Sequence, residues 1–237
     1  MNLFCLPYAG GSESIYYSWR KFLDPSIKLY PIKLKGRGKR FNEDYYNSLE
    51  EAVDDIYACM KNLIINEDYA IYGHSMGSLL AYELYYKIMK NNLREPKHIF
   101  FSGYKAPSMI REKENIYELP DYEFMKRIIE IGGTPEELLE NEELLNLFIP
   151  IIRNDFKIIE NYIYKEKSEK IKCDVSILNG RQDDITLEEI LAWKNHVDLK
   201  SKFYDFDGNH FFINSNVHNI VNIINNTLSS EKILKLG

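Results

Sequence analysis

The sequence contains no run of apolar residues long enough to cross a membrane, and its N-terminus has no basic residue before Arg20. A membrane-spanning helix needs about 18 or more consecutive apolar residues, and a secretory signal begins with a positively charged stretch. We therefore expect no membrane segment and no export signal, and we predict a cytoplasmic protein.

Cysteine and basic charge are also in short supply. The three cysteines, Cys5, Cys59 and Cys173, are far apart and form no CxxC pair or Cys/His cluster. This spacing favours reduced thiols over a disulfide framework or a zinc site. Acidic residues outnumber basic residues by 36 to 30, which gives a formal charge of −6. We expect no nucleic-acid partner, because proteins that bind nucleic acids usually carry a basic excess.

The overall composition is that of an ordinary soluble globular protein. Of its residues, 45% are hydrophobic and 28% are charged. The length of 237 residues is sufficient for one large domain or two small ones. Apolar spacing predicts helices at 49–65 and after the third strand as far as residue 89. Short apolar runs predict strands at 3–6, 29–34, 69–72, 99–102, 175–178 and 203–206. This alternation predicts a mostly parallel central sheet flanked by helices.

One stretch, from about residue 105 to residue 170, interrupts the alternation. Its pattern is helical from 119 to 164, with a helix start at Thr134 and Pro135. We interpret it as a helical insertion in a single domain spanning 1–237, placed over the carboxyl ends of the strands.

The insertion combines acidic and apolar residues. Between 128 and 152 there are six acids and no base, namely Glu130, Glu136, Glu137, Glu140, Glu142 and Glu143. The interleaved apolar residues are Leu138, Leu139, Leu144, Leu145 and Phe148. The position of the insertion favours a mobile lid over the site, and the alternative is a helix pair packed rigidly on the core.

The pattern G-x-S-x-G occurs at Gly73–Gly77, between a predicted strand and a predicted helix. It is typical of a nucleophile elbow, a sharp turn in which a strained backbone projects the Ser75 hydroxyl outward. Glycine is expected at both ends because a side chain there would collide with the neighbouring strand or helix. The alternative is a glycine-rich turn with a surface serine.

A serine hydroxyl needs a base to take its proton, and the chain has five histidines. His210 lies in a loop after the last predicted strand, where the base of such a site is expected. His74 adjoins the serine and points the wrong way, and His98 precedes a strand. His196 and His218 fall in helical stretches and are expected to be solvated. We therefore choose His210 as the general base.

The base in turn needs an acid that orients it and stabilises its charged form. The predicted strand at 175–178 runs into a loop with two aspartates, Asp183 and Asp184. We choose Asp183 and keep Asp184 as the alternative. The order Ser75, Asp183, His210 is the order of the α/β-hydrolase fold.

The oxyanion that develops during acyl transfer needs preorganised donors. One donor is expected to be the backbone N–H of Met76, the residue after the nucleophile. The other is expected from the loop after the first strand, Pro7–Gly11, where Ala9 N–H is our choice. The alternative is that this loop is only a tight turn.

With these residues placed, the chain resembles the type II thioesterases, the stand-alone editing thioesterases of nonribosomal peptide and polyketide synthesis. The resemblance runs nearly end to end, and its most specific motifs lie in the insertion. It rests on Leu6–Ser12, Gly36–Gly38 with Arg40, Gly73–Gly77, Ser102–Gly103, Leu119–Pro120, Gly132–Pro135, Pro150–Asp155, Tyr162, Gly180 with Asp183, Trp193 and Gly208–Phe212. The chain departs from the family at Lys35, where proline is usual, and at Asn209, where a second glycine is common.

The resemblance implies hydrolysis of acyl or aminoacyl thioesters on the phosphopantetheine arm of an acyl- or peptidyl-carrier protein. Ser75 would become acylated, and water activated by His210 would release the acid, so we expect no cofactor and no metal. We expect a monomer. The alternatives are a carboxylesterase or an acyltransferase that acts on small free esters or thioesters, and a non-catalytic module that keeps only the fold.

Basic residues are concentrated in one loop. The densest run comprises Lys33, Lys35, Arg37, Lys39 and Arg40. Because carrier proteins are usually acidic and the net charge provides no steering, this run is a candidate contact for the carrier. A solvated charged loop is the alternative.

Overall fold

A six-stranded parallel sheet forms the centre of the computed structural model, which describes residues 1–109, 114–132 and 142–233. The strands lie in the order β2-β1-β3-β4-β5-β6, and each neighbouring pair runs parallel. They are β1 (Asn2–Leu6), β2 (Lys28–Pro31), β3 (Tyr69–His74), β4 (His98–Ser102), β5 (Asp174–Gly180) and β6 (Ser201–Phe206). The predicted parallel sheet is confirmed.

Helices connect the strands and flank the sheet. The α-helices are α1 (Leu49–Ile64), α2 (Met76–Lys90), α3 (Asp121–Ile131), α4 (Glu142–Glu160), α5 (Leu187–Leu191), α6 (Phe212–Ser215) and α7 (Val217–Ile233). Short 3₁₀ helices lie at Glu13–Lys21, Gly38–Arg40, Ile116–Glu118 and Ala192–His196. Within the described ranges, no helix has the length and apolar character needed to cross a membrane.

Two strands differ in length from their predictions. β2 ends at Pro31 rather than at residue 34. Proline is tolerated there because β2 lies at the edge of the sheet, and the next amide, Ile32 N–H, still donates to the Cys5 carbonyl oxygen of β1 at 2.9 Å. β5 runs beyond residue 178 to Gly180, where it pairs with Phe206 at the end of β6. β5 and β6 therefore end at the same level, so the loops that follow these two strands start side by side.

Apolar side chains cover both faces of the sheet. One cluster joins the sheet to α1 and α2 and includes Ile56, Leu80 and Trp193. A second cluster joins the other face to α7 and to the first 3₁₀ helix through Trp19 and Ile220. Since both faces are filled, as is usual for parallel sheets, the carboxyl ends of the strands are where polar groups can meet a ligand.

The insertion lies between β4 and β5 and contains α3 and α4. These two helices share a small apolar cluster of their own, which includes Phe124, Ile128 and Ile152. Several residues predicted to begin a helix or to line the site lie outside the described residues: Thr134, Pro135, Glu136, Glu137, Leu138, Leu139 and Glu140.

Polar contacts join the second half of α4, and the residues that follow it, to the core. Asp155 forms a buried ion pair with Arg37, which belongs to the loop after β2. Shortly after α4, the Tyr162 hydroxyl donates to Glu83 Oε1 of α2 at 2.6 Å. These contacts join this half of α4 to the core, and the mobile lid stays a prediction.

Candidate active site

Ser75 occupies the sharp turn between β3 and α2. Its φ of 54° and ψ of −119° lie in a region that residues with a side chain rarely adopt. A side chain at Gly73 would collide with the backbone of Gly77, and a side chain at Gly77 would collide with the Leu6 carbonyl group of β1. The structure therefore leaves no room for a side chain at either position, as the motif predicts, and this accounts for both glycines.

His210 and Asp183 form a hydrogen-bonded series with this serine. His210 Nε2 lies 2.8 Å from Ser75 Oγ, and His210 Nδ1 lies 3.0 Å from Asp183 Oδ2. Because a carboxylate accepts hydrogen bonds, Nδ1 carries the ring proton and Nε2 is left to accept from the serine hydroxyl. The side chain of Asp183 is 5% exposed, whereas the neighbouring Asp184 is an exposed residue. Of the two predicted acids, Asp183 is the one that faces the imidazole.

The loops that carry Asp183 and His210 pack directly against each other. A side chain at Gly180 would collide with the carbonyl oxygens of Gly208 and Asn209, so the end of β5 touches the histidine loop through backbone alone. The Asn209 side chain accepts a hydrogen bond from Phe211 N–H at 3.0 Å and so closes the turn around His210. The departure from glycine at Asn209 is thus accommodated by a local hydrogen bond.

The predicted oxyanion loop lies beside this series. Ala9 N–H has no hydrogen-bond partner among the residues that the structure describes, whereas Gly10 N–H donates to Asp155 Oδ2 at 2.7 Å. Met76 is the first residue of α2, and the first amides of a helix have no partner within it. Both predicted donors are therefore placed next to the nucleophile in the chain or in space.

An apolar cavity of about 330 Å³ opens onto Ser75 and His210. Its walls are Ala9 and Gly10 from the oxyanion loop and a set of apolar side chains of α3 and α4: Ile128, Ile131, Phe148, Ile152 and Phe156. None of the described residues that line it is Asp, Glu, Lys or Arg. Of the apolar residues predicted to roof the site, Phe148 does so, while Leu144 is 39% exposed.

The Arg37 side chain is not available to solvent or to a docking partner. It is 3% exposed, and its Nη2 donates to Asp155 Oδ1 at 2.6 Å. Burial disfavours the charge of Arg37, but Asp155 more than offsets this and raises the pKa of the guanidinium above its ordinary value. Arg40 is also engaged, with Glu43 and Asp55. Ion pairs therefore engage Arg37 and Arg40, and the contact of the basic run with a carrier protein stays a prediction.

The burial of Asp155 could have been predicted from the helical pattern. Asp155 follows Ile151 and Ile152 at helical spacing and precedes Ile158, so it falls on the buried stripe of α4. An acid within an apolar stripe predicts a buried and paired charge. The sequence alone does not say which base, 118 residues away, provides the pair.

His74 has a role that the sequence analysis missed. Its Nε2 lies 3.0 Å from the backbone carbonyl oxygen of His210, and its Nδ1 lies 2.8 Å from Ser102 Oγ. Burial lowers the pKa of His74 well below its usual value, and the nearby His210 lowers it further, so the ring is neutral with one N–H. Because a carbonyl only accepts, Nε2 donates to His210 and Nδ1 accepts from Ser102. The Tyr72 hydroxyl in turn donates to Ser102 Oγ at 2.9 Å.

His196 differs from its prediction. It is 5% exposed rather than solvated, because aromatic residues including Tyr82 and Trp193 pack around its ring. Its Nδ1 lies 3.2 Å from Tyr82 Oη, and its Nε2 lies 2.8 Å from Ser108 Oγ. His218, in contrast, is exposed as predicted.

Comparison with known families covers almost the whole chain. The sequence model of the Thioesterase domain family matches residues 1–228. The chain belongs to the thioesterase family. The thioesterase assignment also accounts for the α/β-hydrolase order of Ser75, Asp183 and His210 along the chain.

Three similar proteins place the thioesterase among biosynthetic relatives. Linear gramicidin dehydrogenase LgrE of Brevibacillus parabrevis is 38% identical over 232 residues, covering 96% of this chain and 88% of that protein. The crystal structure of ClbQ from the colibactin NRPS/PKS pathway matches with a TM-score of 0.93 and 34% identity, covering 98% of each chain. The type II thioesterase BorB from the borrelidin biosynthetic cluster matches with a TM-score of 0.87 and 29% identity, covering 96% of this chain and 92% of BorB.

These matches confirm the resemblance to type II thioesterases and the α/β-hydrolase fold. The name of LgrE denotes a dehydrogenase, a chemistry different from that of the matched family. We follow the family match, because Ser75 and His210 are arranged as a nucleophile and its base.

The contact of His74 with the His210 backbone predicts a measurable effect on turnover. His74→Phe fills the site but cannot donate to the His210 carbonyl, so we expect kcat to fall by about tenfold, the value of one neutral hydrogen bond. His74→Gln keeps an N–H donor and should restore part of the loss. KM should stay near the wild-type value, since His74 does not line the cavity. Steady-state kinetics on an acyl thioester check this, and an unchanged kcat in His74→Phe would contradict it.

Proposed function

We propose that this thioesterase hydrolyses acyl or aminoacyl thioesters held on the phosphopantetheine arm of acyl- or peptidyl-carrier proteins, using Ser75, His210 and Asp183. The observation that carries the proposal is the series Ser75 Oγ–His210–Asp183, with a 2.8 Å contact between nucleophile and base, at an apolar cavity. We further propose that it acts as a monomer in the cytoplasm.

The geometry supports a two-stage acyl transfer. Ser75 Oγ attacks the thioester carbonyl carbon while His210 Nε2 takes the hydroxyl proton. The resulting oxyanion accepts hydrogen bonds from Ala9 N–H and Met76 N–H. When the intermediate collapses, the C–S bond breaks, and His210 returns the proton to the departing sulfur, which leaves as the free pantetheine thiol. Acyl-Ser75 remains.

The second stage repeats the chemistry with water. His210 Nε2 takes a proton from a water molecule, and the hydroxide oxygen attacks the acyl-Ser75 ester. Collapse releases the carboxylic acid, and the proton on His210 returns to Ser75 Oγ. Asp183 holds Nδ1–H throughout and stabilises the imidazolium that forms twice in the cycle. These steps need only groups of this chain and water.

The cavity and the relatives support the substrate class. Apolar walls from α3 and α4 suit an uncharged acyl chain, and none of the described lining residues is an Asp, Glu, Lys or Arg that could pair with a charged one. ClbQ comes from an NRPS/PKS pathway and BorB from the borrelidin biosynthetic cluster. Nonribosomal peptide synthesis and polyketide synthesis both carry their intermediates as thioesters. We therefore propose editing or release of chains in nonribosomal peptide or polyketide synthesis.

The proposed function predicts both a substrate preference and a residue dependence. Acyl groups on a carrier protein should be released as free acids with a higher kcat/KM than the matching ethyl esters. Asp183→Asn should lower kcat by about 10³–10⁴-fold, because the imidazole loses its orienting acceptor. Asp184→Asn is the matched control and should stay near wild type. Mass spectrometry of the carrier and of the released product measures both quantities.

Two outcomes would reject this function. A clear preference for the free ester would favour the carboxylesterase alternative. Transfer of the acyl group to an added alcohol or amine in place of water would favour the acyltransferase alternative.

Carrier docking can draw on the part of the basic run that is left exposed. Lys33 and Lys39 are exposed, and neither forms an ion pair with another described residue. We propose that they attract the acidic carrier, whereas Arg37 and Arg40 serve the structure of the loop. Lys33 follows β2 at one edge of the sheet.

Reversing one of these charges should affect the carrier but not a small substrate. Lys39→Glu is expected to raise KM several-fold for an acyl-carrier protein and to leave KM for an acyl-N-acetylcysteamine thioester unchanged. Lys202→Glu makes the same charge change on β6 at the opposite edge of the sheet and serves as the control. Equal effects of Lys39→Glu on both substrates would argue against docking at this loop.

A further inference from the structure

A carboxylate of the insertion holds the oxyanion loop from behind. Asp155 of α4 is fully buried, and its Oδ2 accepts from Gly10 N–H at 2.7 Å. The Arg37 guanidinium holds the same carboxylate with both arms, through Nη1 at 2.5 Å and Nη2 at 2.6 Å. Arg37 Nη1 also donates to the Gly11 carbonyl oxygen at 3.3 Å. One ion pair therefore fixes a donor and an acceptor of the loop that follows β1.

These bonds determine which amide of the loop is left for a substrate. Gly10 N–H is engaged by Asp155, and Gly11 N–H donates to the Tyr8 carbonyl oxygen at 2.9 Å. Ala9 N–H, which has no partner among the described residues, lies between these engaged groups and lines the cavity with Ser75. The groups on both sides of Ala9 N–H are thus held by hydrogen bonds, while Ala9 N–H itself has no partner among the described residues.

The loop would not hold this shape through its own conformational preference. Gly10 has φ of +77°, which glycine adopts without strain but does not prefer over other regions. A side chain at Gly10 would lie 2.7 Å from Ile152 Cγ1, so α4 packs directly on the loop backbone. Contacts from α4 and from Arg37 therefore add to the local hydrogen bond between Gly11 N–H and the Tyr8 carbonyl oxygen in fixing the loop conformation.

We propose that Asp155 and Arg37 are positioning residues that hold Ala9 N–H where the oxyanion forms, and so couple the insertion to catalysis. This inference rests on the proposed function, because it requires an oxyanion at Ser75. Neither side chain touches the substrate. Their contribution is to preorganise a donor before the reaction, which is the condition under which such donors accelerate acyl transfer.

The test must remove the contact without leaving a buried charge. Asp155→Asn alone would strand the Arg37 guanidinium in the interior, and this would destabilise the fold whatever the role of the loop. The double variant Arg37→Met with Asp155→Val replaces the pair by apolar groups of similar combined volume, a change that buried ion pairs often tolerate. Gly10 N–H then loses its acceptor, and the Gly11 carbonyl group loses its donor.

Two measurements separate positioning from a general effect on structure. The first is kcat and KM for an acyl-N-acetylcysteamine thioester. The second is the affinity for an alkyl trifluoromethyl ketone, whose carbonyl carbon bonds to Ser75 Oγ and whose oxygen becomes an oxyanion. In the double variant we expect kcat to fall by about 100-fold, the cost of one lost oxyanion donor, and ketone affinity to fall in parallel. KM should change by less than about twofold.

A matched control breaks another ion pair of the insertion. Asp121→Asn removes the partner of Arg153, whose Nη2 lies 2.7 Å from Asp121 Oδ1, and this pair does not touch the oxyanion loop. It should leave kcat and ketone affinity at wild-type values. If the double variant does not fold, Arg37→Lys takes its place, because lysine keeps the charge but cannot hold Asp155 and the Gly11 carbonyl group with two arms. It should lower kcat and ketone affinity together by a smaller factor.

A folded double variant, or a folded Arg37→Lys variant, with wild-type kcat and ketone affinity would overturn the proposal. A loss of kcat with unchanged ketone affinity would also overturn it. Ser75→Ala on the same substrate keeps this outcome distinct from failure of the proposed function. Turnover by Ser75→Ala would reject the function itself, whereas an inactive Ser75→Ala beside unaffected pair variants would reject only the positioning role.

Discussion

The buried ion pair between Arg37 and Asp155 is the contact on which the site depends. Two opposite charges lie in an interior where neither could remain alone, since loss of one partner from such a pair costs about 3–5 kcal/mol. The pair joins three parts of the chain: the loop after β1, the loop after β2 and the insertion helix α4. Through it, the cavity wall and the backbone beside the nucleophile are built as one unit.

A second buried polar network supports the base in the same way. Three residues of the sheet form it: Tyr72, Ser102 and His74. The Tyr72 hydroxyl donates to Ser102, Ser102 donates to His74, and His74 donates to the His210 carbonyl oxygen. Both networks place polar groups inside an apolar core, where a missing partner is costly and a complete set is rigid. The backbone around the reacting atoms is therefore held by buried contacts of the core.

The sequence predicted what local chemistry determines. The elbow requires glycine at 73 and 77 because a side chain at either position would collide with backbone atoms, so the sequence pattern identifies it. Parallel strands end at the same edge of the sheet, and this brings Asp183 and His210 to Ser75. The missed features depend on contacts between distant segments. In the sequence, Arg37 is one of several bases in a charged loop, and nothing in the loop indicates a buried partner. The fold brings it to Asp155, which is 118 residues away. His196 was predicted to lie on a helix surface because two of the rings that cover it, those of Tyr82 and Tyr164, come from distant segments of the chain.

The central claim is that Ser75 carries the acyl group between its carrier and water. Intact-mass and peptide-mapping mass spectrometry of the enzyme, quenched during turnover of an acyl-loaded carrier protein, tests this most directly. The account predicts a mass increase equal to the acyl group on the peptide containing Ser75, and none at that peptide in Ser75→Ala. Continued release of acid with no acyl group on Ser75, or an acyl group on another residue, would contradict it.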